Sequence, residues 1–128
     1  MAKYNRFNKY SAKRTYSELC MREFDSKAEA QRGEELCLLA RADKIKCLEY
    51  QVMYHLYEKP SIKVKLDFRY VNSNGELVVE DVKGILEREF RAKLAWLKEK
   101  HNVGVRILKK HGKGWDIINL SGKVIETI

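Results

Sequence analysis

Asp67, Asp81 and Lys83 are the residues of this chain whose types and spacing suit chemistry on a phosphate. Asp67 lies in Lys63-Val-Lys-Leu-Asp-Phe-Arg-Tyr-Val71, and the other two in Glu76-Leu-Val-Val-Glu-Asp-Val-Lys-Gly84. Val64, Leu66, Phe68 and Tyr70 alternate with Lys63, Lys65, Asp67 and Arg69, the period-2 pattern of a strand with one buried face. Leu77, Val78 and Val79 begin a second strand that turns acidic midway. Between them Ser73-Asn74-Gly75 is turn chemistry, with Gly75 free to take a positive φ. Register decides what the charges can do. A two-residue loop at Asn74-Gly75 would pair Asp67 with Val82 and set the aspartates on opposite faces. A three-residue loop over 73–75 pairs Asn72 with Glu76 and sets Asp67 opposite Asp81, with Cβ atoms about 4.5–5.5 Å apart. Lys83 then shares that face. Opposed like charges destabilise a strand pair, so such a pair asks for a cation. Two carboxylates and a lysine are the parts of a Mg²⁺ site, with Mn²⁺ as an alternative, that activates water beside a phosphate. A solvated hairpin can carry the same charges with no such role.

The surrounding elements must hold these groups in place. Ser26-Lys-Ala-Glu29 opens a helix as a capping box, and the helix runs to about Ala42, burying Ala30, Leu36, Leu39 and Ala40 despite Gly33. Capping accounts for Glu29, and Glu34 and Glu35 read as a solvated face. Ile45 to Tyr57 alternates as a strand, with Gln51 facing the site and His55 at the surface or in packing. Lys59-Pro60 breaks it. After Gly84, residues 85–100 form an amphipathic helix with Leu86, Phe90, Leu94 and Leu97 on one face. Arg88, Arg91, Lys98 and Lys100 line the rest. A helix following the acidic strand directly would bring Arg91 or Lys93 near a bound nucleic-acid strand. Residues 103–108 read as a strand added in parallel through this helix. Lys109-Lys-His-Gly-Lys-Gly114 is a basic turn without the length or ending of a nucleotide-binding loop, and 115–120 and 123–128 are closing segments.

At 128 residues, 45% apolar and 34% charged, the chain reads as one globular domain. Its net charge of +8 points to a polyanionic partner. The three cysteines have no metal-ligand spacing and read as reduced thiols. With no membrane span and no signal-peptide core, the expected location is cytoplasmic. Residues 1–23 read as a basic, aromatic arm lying along nucleic acid, with Lys3, Arg6, Lys9, Lys13 and Arg14 set among Tyr4, Phe7, Tyr10 and Tyr16. Residues 24–128 are then the domain proper.

Asp67 followed on the next strand by Asp81-Val82-Lys83 resembles the core of the PD-(D/E)XK nucleases. More narrowly, Lys3-Tyr-Asn-Arg-Phe-Asn-Lys-Tyr10, Phe24-Asp-Ser-Lys-Ala-Glu-Ala30 and Val79-Glu-Asp-Val-Lys-Gly84, in that order, resemble small phage and prophage proteins of that superfamily, a resolvase-like family formerly of unknown function. The likeness covers roughly the first three quarters of the chain. Lys65-Leu66 stands where the named motif has its proline. The resemblance implies an α/β fold of restriction-endonuclease type, a mixed central sheet flanked by helices. It implies a Mg²⁺-dependent endonuclease acting on branched or Holliday-junction DNA in phage replication or recombination. Asp67 and Asp81, with Glu29 or the carbonyl of Val82, would hold the metal, and Lys83 would orient the attacking water. It also implies a homodimer. A catalytically silent DNA-binding module and a nuclease for single-stranded nucleic acid are the alternatives.

Overall fold

The computed structural model describes residues 13–128. Thr15–Ser17 (β1) and Arg22–Phe24 (β2) form an antiparallel hairpin that pairs Thr15 with Phe24 and Ser17 with Arg22. The expected arm over 1–23 is therefore corrected for residues 15–23 alone. Alternation across the hairpin turns Ser17 and Phe24 inward, where both are buried, so residues 15–24 belong to the folded domain. Lys3, Arg6 and Lys9 lie outside the described residues. Lys13 is exposed, just before β1.

The first helix (α1) spans Lys27–Arg41. Ser26 caps it in extended backbone, its Oγ accepting the Glu29 N–H at 3.1 Å. Gly33 is required where it stands, since a Cβ there would lie 2.5 Å from Cζ of Phe24. The Phe24 ring packs in that gap and meets Tyr50 and Phe68 at centroid distances of 5.8 and 6.3 Å.

A six-stranded sheet follows in the order β3 (Lys46–Tyr57), β4 (Ile62–Val71), β5 (Leu77–Val82), β6 (Val105–His111), β7 (Gly114–Ile118), β8 (Val124–Thr127). The β5–β6 pairing is parallel and the others are antiparallel. The second helix (α2, Arg88–His101) carries the crossover that a parallel pair needs. The protein is therefore a mixed α/β fold with two helices on a mixed sheet. The helix starts at Arg88 and not at Ile85, because Glu87 is in extended backbone (φ −77°, ψ 152°) as its N-cap.

The helices cover opposite faces of the sheet. One cluster joins Leu56, Val64, Leu66, Val79, Ile107 and Ile118 to Leu94 and Leu97 of α2. The other joins Phe24, Ile45, Phe68 and Tyr70 to Ala30 and Leu36 of α1. The expected single buried face of β4 is thus corrected. A regular pleat sends i and i+2 to the same side, yet Leu66 serves the α2 cluster and Phe68 the α1 cluster. The pleat is interrupted at Asp67.

Candidate functional site

The turn between β4 and β5 sets the register. The Asn72 N–H donates to the Glu76 carbonyl (2.9 Å), the Gly75 N–H donates to the Asn72 carbonyl (3.0 Å), and Gly75 has φ of 80°. This is the three-residue loop. Asn72 Oδ1 tightens it by accepting the N–H groups of Asn74 and Glu76, each at 2.9 Å. Val71 faces Leu77 and Phe68 faces Glu80, and one step further sets Asp67 against Asp81.

Beyond Phe68 and Glu80 the two aspartates take over the work of the backbone ladder. The Asp67 N–H donates to Asp81 Oδ1 (2.9 Å), and the Val82 N–H donates to Asp67 Oδ2 (2.9 Å). Each carboxylate is held by the backbone of the other strand. Asp81 is 1% exposed, and its Oδ2 is buried without a hydrogen bond. Lys83 Nζ lies 3.3 Å from that oxygen and 4.2 Å from the centroid of the Phe90 ring, which steadies the ammonium group. The residues between Val82 and α2 thus give Lys83 its approach.

Glu29 projects from the first turn of α1. Only half of the expected capping box forms there: Ser26 accepts the Glu29 N–H, while the Glu29 carboxylate accepts Gln51 Nε2 of β3 at 2.8 Å. Burial raises the carboxyl of Glu29 to about 7, with the charges of Asp67 and Asp25 adding to the effect and the Gln51 amide opposing it. Burial also raises Asp67, against the Val82 N–H and Lys83, and raises Asp81 well above its ordinary value, with the charge of Asp67 adding and Lys83 opposing. Burial and neighbouring like charge thus hold Glu29, Asp67 and Asp81 above their ordinary values. A bound cation would relieve all three.

The oxygen chemistry here fits a hard divalent ion. Among the described residues no group of three or more His, Cys, Asp or Glu side chains is arranged to hold a metal. What is assembled is the pair Asp67 and Asp81, with Glu29 held separately by Gln51 on the α1 side. Mg²⁺ takes one or two carboxylates and completes its octahedron with water and substrate phosphate, so the pair meets the need. Asp81 Oδ2, which has the Lys83 ammonium at 3.3 Å but no hydrogen bond, marks the position, and Val82 is pinned beside it by its bond to Asp67.

Other expected contacts lie elsewhere. Arg14 is engaged by Glu23 (2.9 Å) and Asp25 (2.7 Å). Arg91 donates to the Leu120 carbonyl (3.3 Å), and Lys93 pairs with Glu89 (3.8 Å). Neither is bonded to the aspartates as Lys83 is. Glu34 and Glu35 are structural: Glu34 accepts the buried Ser17 hydroxyl (2.6 Å), and Glu35 accepts Trp115 Nε1 (2.8 Å) and Arg32 (3.0 Å). Asp25 was not anticipated. It stands at the β2–α1 junction, and its charge reaches Glu29 and Asp67; its place next to the N-cap Ser26 was the available signal.

No helix among the described residues is long and apolar enough to cross a membrane. No curated protein and no solved structure matches the chain. A family model matches residues 7–115, a span that holds Glu29, Gln51, Asp67, Asp81 and Lys83. The chain belongs to that family, DUF1064, described as a protein of unknown function.

Proposed function

We propose that this protein is a Mg²⁺-dependent endodeoxyribonuclease of restriction-endonuclease-like architecture, acting on branched DNA. The observation that carries the reading is the buried Asp81 carboxylate, set against Asp67 on the neighbouring strand and against Lys83, with one oxygen left without a hydrogen bond. Purely structural carboxylates are normally satisfied.

A Mg²⁺ held by Asp67, Asp81 and the carbonyl of Val82 would polarise the phosphoryl oxygen and acidify a water. Lys83 orients the attacking water and stabilises charge growing on the phosphorus. Glu29, fixed by Gln51, adds negative charge on the α1 side, where it strengthens cation binding. The interlocked hydrogen bonds of Asp67 and Asp81 with each other's strands hold the pair rigid, so little reorganisation is needed when a cation arrives.

The DNA partner rests on the +8 charge, and the branched substrate and the homodimer rest on the resemblance. The direct test incubates the protein with linear, flapped and four-way DNA, with and without Mg²⁺. Mg²⁺-dependent cutting, strongest on the four-way substrate and absent in Asp81→Asn, is expected. Binding without cutting under all conditions would show a silent DNA-binding module instead. Cutting confined to the single-stranded part of a flap would show a single-strand nuclease.

A further inference from the structure

Gln51 combines three features that packing alone does not explain. It lies in the middle of a twelve-residue strand with φ of +54°, a region that non-glycine residues seldom occupy. Its Oε1 is buried without a hydrogen-bond partner, although buried acceptors are nearly always paired. Its Nε2 holds Glu29. Tyr50 pairs with Phe68 and Val52 with Leu66, so Gln51 stands opposite Asp67 as Asp67 stands opposite Asp81. Gln51, Asp67 and Asp81 form one row across three neighbouring strands, at the point where the pleat of β4 is interrupted. Strained backbone of this kind gathers at functional sites.

We propose that Gln51 belongs to the cation site: its amide nitrogen fixes Glu29, and its Oε1 is the neutral oxygen that β3 adds to the row of Asp67 and Asp81, directly or through one water. This rests on the metal-site reading above. The charges support the orientation of the amide, since turning it over would set its oxygen against the Glu29 carboxylate and bury its N–H groups without that acceptor. A neutral oxygen suits the place, because Glu29 is bonded to the same side chain and Asp67 stands opposite on β4, so a further carboxylate there would add repulsion in the metal-free protein.

The test measures Mn²⁺ affinity of the full chain without DNA, from the electron paramagnetic resonance signal of free Mn²⁺, alongside Tm. Gln51→Met keeps the length of the side chain and removes both polar atoms, and about tenfold weaker Mn²⁺ binding is expected. Gln51→Glu keeps an oxygen at that position. It should lower Tm without metal yet bind Mn²⁺ at least as tightly as the parent. Gln51→Gly relaxes the left-handed backbone, so it should fold with parent-like or higher Tm and still lose Mn²⁺ affinity. That variant keeps the test open if Gln51→Met does not fold. Parent-like affinity in Gln51→Met or Gln51→Gly, with Asp81→Asn weakened, overturns the role of Gln51 and leaves the metal site standing. Gln51→Glu binding as weakly as Gln51→Met also overturns it. A parent protein that binds no Mn²⁺ overturns the metal-site reading itself, and this inference with it.

Discussion

Glu80 and Asp81 are consecutive carboxylates on β5, 0% and 1% exposed, and they live in opposite circumstances. Glu80 faces α1. Arg32 grips it with two bonds, Nε to Oε1 at 2.8 Å and Nη2 to Oε2 at 2.9 Å. The Tyr70 hydroxyl donates to Oε2 as well, and Arg106 approaches the same oxygen at 3.3 Å. Asp81 faces the other way, toward Asp67, with a like charge for a neighbour, one lysine at 3.3 Å and one oxygen without a hydrogen bond. Burial is the same for both and partners differ. A buried charge that the fold itself satisfies belongs to the scaffold, whereas one left in need is a place built for something to arrive.

The sharpest way to break this contrast is to remove the partner of Glu80. Arg32→Ala leaves a fully buried carboxylate with Arg106 and Tyr70 alone, and breaking one side of a buried pair costs about 3–5 kcal/mol. Urea denaturation should show that loss, with Mn²⁺ affinity unchanged if the protein is assayed below its unfolding transition. A loss under about 1 kcal/mol would mean that Glu80 is no better satisfied than Asp81.

The dependence on pH reads the other half. Glu29, Asp67 and Asp81 have folded-state values raised above their unfolded ones, Glu29 to about 7. For a raised carboxyl the stabilising contribution is fully present below the unfolded value of about 4, and it is lost as pH rises through the folded value. Stability of the metal-free protein should therefore fall between about pH 4 and pH 7, by up to about 1.4 kcal/mol per pH unit for each such carboxyl in its window. Mg²⁺ competes with those protons, so it should raise Tm at pH 8 and do little at pH 5. Glu29→Gln should flatten the part of the curve near pH 7. A metal-free profile that is level across this range would remove the electrostatic case for the site.

Asp81→Asn is expected to have the opposite sign to Arg32→Ala. Asparagine keeps an oxygen to accept the Asp67 N–H and removes the repulsion, so thermal stability should rise, by about 0.5–2 kcal/mol as stabilising changes at functional sites do. Cleavage and Mn²⁺ binding should be lost while affinity for DNA stays equal or rises. Wild-type cutting by this variant would discard the active site even with the fold unchanged.

Much of this arrangement was legible in the residues. The strand pair around Asn72-Ser-Asn-Gly75, the two loop lengths it allows and the convergence of Asp67, Asp81 and Lys83 under one of them follow from period and turn chemistry, and so does the parallel return through α2. What was hidden has physical causes. The residues of β1 and β2 read as an arm because their alternation is too short to stand out from the basic, aromatic run around it. The interrupted pleat at Asp67 was invisible because Val64, Leu66, Phe68 and Tyr70 keep strict alternation while the face they serve changes. Nothing in the sequence marks Gln51 as left-handed. The clamp on Glu80 had a faint signal: adjacent acids on a strand must face opposite sides, so one of the two needed a cation from α1, and Arg32 lies on the buried side of that helix.

Lys83→Ala is the smallest perturbation and the finest probe of the comparison. The ammonium group is about a third exposed, with 34% of the side chain open to solvent, so its attraction for Asp81 is partly screened by water. Removing it takes away the cation that opposes proton uptake by Asp67 and Asp81. The metal-free protein can answer by keeping a proton there, and the stability change should stay within about 1 kcal/mol. The pH at which stability falls should move upward, since the raised acids lose the charge that holds them down. Mn²⁺ should still bind, because an ammonium group has no lone pair to offer a metal, and loss of repulsion from Lys83 favours the ion slightly. Cleavage should nevertheless fall by about 10²–10³-fold, the usual effect of removing one group that stabilises transition-state charge. A stability loss as large as that of Arg32→Ala would make Lys83 a structural clamp like Arg32, and Asp81 would then be a scaffold carboxylate like its neighbour.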